Sequence, residues 1–191
     1  MSTDPAPREE PYDVVLLVEQ ALTAADAAQV RALHVELDDD PTIEVIYHVL
    51  LPMADAAAAV EASLGVIGGA DLIAPPITPS PDEIDSVRAQ YREQAERDVR
   101  ATAEALSDSG AHVGSSAIVT DPPVDALTRK VKEVDGREAI ILTRPHLVAE
   151  FFHVDWTSRA RRKLGVPVLH LLEHETLEEQ SAGGGEGVTG V

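Results

Sequence analysis

The residues best equipped for chemistry lie between Arg137 and Glu173. Arg144, Arg159, Arg161, Arg162 and Lys163 form one basic cluster in an otherwise acidic chain. Such a cluster suits a small anion, because guanidinium groups offer paired, charge-assisted hydrogen bonds to carboxylate or phosphate oxygens. Arg144 and Ser158 would be its first contacts. The plainer account carries more weight: cations near a helix end offset its dipole and pair with acidic neighbours. His153-x-Asp155 and His170-x3-His174 hint at a metal, yet neither supplies three ligands at a recognisable spacing. His170 is expected to pack or hydrogen-bond at a sheet edge. Glu19 and His146 have the types of a base pair, but nothing in their spacing brings them together. No Gly-x-Ser-x-Gly elbow and no Ser, His and Asp in a familiar order occur, so nucleophilic hydrolysis finds no support in the sequence.

Those residues must be positioned by strands. Two short apolar runs, AIIL at 139–142 and VPVLHLL at 166–172, bracket them. Continuous aliphatic runs of this length mark parallel strands buried on both faces. Earlier, YDVVLLVEQ opens a strand at Tyr12 and TIEVIYHVLL a second at Thr42, ended by Pro52. Thr23 with Asp26 forms a variant capping box before a helix with Ala27, Val30, Leu33 and Leu37 on one face. Ser80-Pro81-Asp82-Glu83 is a strong helix start. Its apolar stripe is Ile84, Val87, Tyr91, Ala95, Val99 and Leu106, with Glu93–Arg97 and Glu96–Arg100 pairs outside and Gly110 at the end. AHVGSSAIVT gives a third, weaker strand. Asp121-Pro122 is expected to cap a helix with a stripe of Val124, Leu127, Val131 and Val134, closed by Gly136.

Strands alternating with helices predict an α/β fold, a mostly parallel sheet covered on both faces with right-handed crossovers. The ligand crevice of such a sheet lies at the carboxyl ends of its strands. Residues 1–11 read as a disordered leader, 12–175 as one domain, 53–79 as an insert or long loop and 176–191 as a flexible tail. At 191 residues the chain is too short for a (β/α)8 barrel.

Composition narrows the function. There are 34 acidic residues against 15 basic, a formal net charge of −19, which repels phosphate backbones and argues against nucleic acid as a partner. No run of apolar residues is long enough to cross a bilayer, so no membrane association is expected. The absence of cysteine removes thiolate chemistry and fits a reducing cytoplasm.

The element order, the strands YDVVLLVE and IEVIYHVL, the segment DPPVDALTRKVKEVDGREAIILTRP and the closing GVPVLHLL together resemble the universal stress protein family over roughly residues 12–174. The resemblance implies a Rossmann-like five-stranded parallel sheet in the order 3-2-1-4-5 and a homodimer joined through the last strand, Val166 to Leu172. It also implies an adenine-nucleotide site. Glu19 stands where the family has an Asp that meets the adenine, and Val49 would line the base. After the fourth strand the family carries Gly-x2-Gly, nine residues, then Gly-Ser/Thr. This chain has Thr143-Arg144-Pro145-His146, then LVAEFFHVDWTSR, with no glycine before Gly165. Glycines there let backbone N–H groups approach phosphates, and Pro145 lacks that donor. Both phenylalanines, Phe151 and Phe152, and the single tryptophan, Trp156, fall in this stretch. Plain packing explains them best, with an apolar ligand or partner as the alternative.

The expectation is a homodimeric, non-enzymatic stress-response or interaction module with an unknown protein partner and no cofactor. The alternative is a binding protein for ATP, AMP or another anion at the crevice between the first and fourth strands, using Glu19, Val49, Thr143, Arg144, Ser158 and Arg159.

Overall fold

The computed structural model describes residues 11–38, 40–53, 80–143 and 162–172. Five strands form one parallel sheet: β1 (Tyr12–Val18), β2 (Val45–Pro52), β3 (His112–Val119), β4 (Glu138–Thr143) and β5 (Val168–Leu172). Their order across the sheet is β3-β2-β1-β4-β5. The helices are α1 (Ala24–Ala32), α2 (Val35–Asp38), α3 (Pro81–Asp108) and α4 (Pro123–Glu133). The predicted leader up to Glu10, the 53–79 insert beyond Met53 and the tail lie outside the described residues.

Alternation along β1 explains the two-sided core. Val14, Leu16 and Val18 face a cluster with Ala27 and Val30 of α1, Ala95, Val99 and Leu106 of α3, Val49, Ile140 and Leu171. Val15 and Leu17 face the opposite cluster, with Leu127 and Val131 of α4, Leu50, Ile141, Leu164 and Val168. Each fully buried aliphatic side chain stabilises the fold by about 1.5–3 kcal/mol, and the core is mostly Val, Leu and Ile with Tyr47 buried among them.

Both predicted capping boxes form. Thr23 accepts from the Asp26 amide while Asp26 accepts from the Thr23 amide, and Ser80 and Glu83 do the same for α3. Caps of this kind contribute about 1 kcal/mol each. The predicted continuation of α1 through Leu33 and Leu37 is interrupted by a turn at residues 33–34, after which α2 restarts. That turn carries His34 into the interior, where it is 3% exposed.

Several local expectations are corrected. Asp121 does not cap α4: the N-cap is Pro122, with no side-chain hydrogen bond, and Asp121 pairs with Arg129 at 2.6 Å. The left-handed residue after α4 is Asp135 (φ 51°), not Gly136. Gly136 serves close packing instead, since a Cβ there would lie 3.3 Å from Val15 Cγ2. Arg97 meets Glu93 as expected, but Arg100 donates to the Glu96 carbonyl oxygen, not its carboxylate.

Candidate functional site

At the carboxyl ends of β1 and β4, Glu19 follows Val18 and Thr143 closes β4, with Val18 beside Leu142 in register. Both side chains are half-buried. The Thr143 hydroxyl is already engaged, 2.8 Å from His170 Nε2 on β5. Burial lowers the pKa of His170, because the imidazolium is costlier to desolvate than the neutral ring. The loop after β1 is tied down where the Leu22 amide donates to Thr102 Oγ1 of α3 at 3.1 Å. Val49 lies inside the core cluster at 0% exposure, beside Leu16. Arg144, Ser158 and Arg159, like Arg161, the aromatic group at 151–156, His146 and His174, lie outside the described residues. Of the basic cluster, Arg162 and Lys163 are described; both are exposed, and Lys163 pairs with Asp125 of α4.

The amino-terminal half of the sheet holds polar chemistry that sequence reasoning missed. On the α1/α3 face, His34 Nδ1 lies 2.9 Å from the Tyr47 hydroxyl and Nε2 lies 3.1 Å from Glu138 Oε2. An ionised carboxylate only accepts, so Nε2–H donates to Glu138 and the neutral ring's Nδ1 accepts from Tyr47 O–H. Tyr12 O–H also reaches Glu138, at 3.4 Å. Its phenol pKa is raised, first by burial and then by the Glu138 charge, both of which oppose a phenolate.

The α4 face carries a second chain of the same kind. His48 Nε2 lies 2.7 Å from Asp13 Oδ1, and His48 Nδ1 lies 2.8 Å from Ser115 Oγ. By the same logic Nε2–H donates to Asp13 and Nδ1 accepts from the serine hydroxyl. Asp13 and His48 are each 8% exposed, whereas Ser115 on β3 is half-buried. The ladder between β2 and β3 shifts between Tyr47 and His48: Tyr47 pairs with Val113 and His48 with Ser115, leaving Gly114 as an extra residue. This bulge turns Ser115 onto the same face as His48. A side chain at 114 would not fit, since its Cβ would stand 2.5 Å from Ile46 Cγ2 and 2.8 Å from His48 Cε1. Glu133 lies close by on α4. The hydrogen bond and charge of Lys130 hold its carboxyl below the ordinary value.

The sequence has no Ser, His and Asp in a familiar order, but the fold brings Asp13, His48 and Ser115 from three strands into one hydrogen-bond chain. The sequence separations, 35 residues between Asp13 and His48 and 67 between His48 and Ser115, contain no motif. A faint signal existed in Asp13 and His48, polar residues within otherwise apolar strand runs. Among the described residues no three His, Asp or Glu side chains group as metal ligands, and no helix is long and apolar enough to cross a membrane.

Together, the sheet order and its parallel pairing define an open, Rossmann-like parallel α/β domain. Solved universal stress proteins are similar to it in fold. The one from Archaeoglobus fulgidus is 14% identical, with 83% of this chain and 92% of that chain covered and a TM-score of 0.48. A family member from Arabidopsis thaliana with AMP bound is 12% identical, covering 85% and 92% at a TM-score of 0.48. A universal stress protein in complex with cAMP is 13% identical, covering 84% and 97% at a TM-score of 0.45. No protein-family model matches the chain. No curated protein matches it either.

Proposed function

We propose that this chain is a stress-response module of the universal-stress-protein type, working in the cytoplasm as a homodimer through β5, with binding and not catalysis at its carboxyl-end crevice. The observation that carries this reading is the place of β5 at the end of the sheet order, paired with β4. Among the described residues β5 has β4 as its strand neighbour, and association of two copies through their last strands would give a closed, twofold dimer. The Thr143 hydroxyl, committed to His170, and the glycine-free sequence that follows both favour a crevice that does not cradle ATP in the family manner. A protein partner is then the natural client of the dimer.

Light scattering at micromolar concentration tests the dimer: a mass of twice the chain is expected, and a monomer overturns the assignment. The alternative, a nucleotide or other anion bound at Glu19 and Thr143, makes a separate prediction. ATP, AMP, cAMP or phosphate at a hundred times its Kd would then stabilise the fold by about 2.7 kcal/mol. No shift with any of the four supports the lost-cradle reading.

A further inference from the structure

We propose that Ser115 is an activated nucleophile, with His48 as its base and Asp13 as the residue that positions that base, in a second site able to transfer acyl groups from small uncharged esters. The site lies apart from the crevice: His48 and Ser115 stand level with Val15, four residues before Glu19, or roughly 13 Å along the strands.

Three observations converge. First, the hydrogen-bond chain has the order that activates a hydroxyl: an acceptor-only carboxylate fixes the imidazole tautomer, leaving a ring nitrogen's lone pair aimed at the serine. Here that nitrogen is Nδ1, 2.8 Å from Oγ. Second, the chain ends at a half-buried hydroxyl on β3, the end strand of the sheet among the described residues, whose residues are partly or fully exposed. A reactant can reach it. Third, the bulge at Gly114 exists at the one place where the ladder must shift to put Ser115 beside His48. Bulges beside active sites re-aim side chains in this way.

The reaction balances without a cofactor. Ser115 Oγ attacks the ester carbonyl carbon, and its proton passes to His48 Nδ1. The imidazolium, stabilised by Asp13, returns that proton to the departing alkoxide as the ester C–O bond breaks. Water, deprotonated by the same nitrogen, then attacks the acyl carbon; as the bond to Ser115 Oγ breaks, the imidazolium returns that proton to Oγ, and the acyl group leaves as a carboxylic acid. The nearby Glu133 carboxylate and the net charge of −19 disfavour anionic esters.

The test is p-nitrophenyl acetate with the full chain, read as nitrophenolate release and as acetylation mapped by peptide mass. One acetyl group per chain on Ser115 is expected. S115A, whose change is small enough to keep the fold, should lose the burst, and H48Q should slow it about a hundredfold. D13N should slow acylation and also move the midpoint of its pH profile, which a merely structural residue would not do. Thermal melts of all three confirm folding. Acetylation of wild type no greater than of S115A, or confined to other residues, overturns the proposal.

Discussion

The two faces of the sheet carry the same hydrogen-bond grammar with opposite endings. On the α1/α3 face, His34 joins Glu138 to the hydroxyl of Tyr47, which is 1% exposed. On the α4 face, His48 joins Asp13 to the hydroxyl of Ser115, which is half-buried on β3. Hydroxyl, imidazole and carboxylate are common to both. A chain that ends in the interior can only stabilise, because nothing can reach the activated group. One that ends at the surface can also react. Access, more than the set of residues, separates a structural network from a site.

The largest expected effect is His34→Ala. It leaves the Tyr47 hydroxyl and the Glu138 carboxylate with a lost partner beside a new cavity, and should cost about 3–5 kcal/mol in urea unfolding. His48→Ala should cost clearly less, about 1–3 kcal/mol, since water can replace the ring at the Ser115 end. Equal losses would erase the contrast.

Gly114→Ala comes next. Its Cβ meets Ile46 and His48 inside contact distance, so about 1–3 kcal/mol of overpacking is expected. The same variant should lose acetylation at Ser115, since His48 must move. Retained acetylation with lower stability would separate the bulge from the chemistry.

Tyr47→Phe should cost about 1–2 kcal/mol, because it strands His34 Nδ1 in a dry setting. Ser115→Ala should cost under about 0.5 kcal/mol at its half-exposed position. A pair of urea titrations orders the two hydroxyls directly.

The smallest effect is in alkali. Tyr12 has a folded pKa above its ordinary 10.0, so above pH 10 the unfolded chain releases this proton first. The stability Tyr12 confers is complete below that pH and is lost as pH rises through the folded value. Tyr12→Phe should flatten the decline above pH 10. His170 acts in the other direction: its lowered pKa makes the unfolded chain bind protons more readily as pH falls through 6.5, so stability drops there.

Much of the fold could be read locally. Thr23/Asp26 and Ser80/Glu83 capped their helices as the spacing implied, and EAIILT became β4 residue for residue. What escaped was set by tertiary contacts. The turn at 33–34 breaks a sound amphipathic stripe so that His34 can reach Glu138, 104 residues away. Asp121 had the right type for a cap but found Arg129. The positions of Glu19 and Thr143 at the carboxyl ends of β1 and β4 were legible because strand ends are. Asp13, His48 and Ser115 were not, because they meet only through the register of three strands and one extra residue.

The bond from the Leu22 amide to Thr102 bears on the order in which the molecule assembles. Its partners are 80 residues apart, and contacts of long separation are late and slow to close. The loop carrying Glu19 is made early but gains this anchor only when α3 docks. A nascent chain halted before Thr102 would therefore carry β1 and β2 with the loop that bears Glu19 still lacking this anchor.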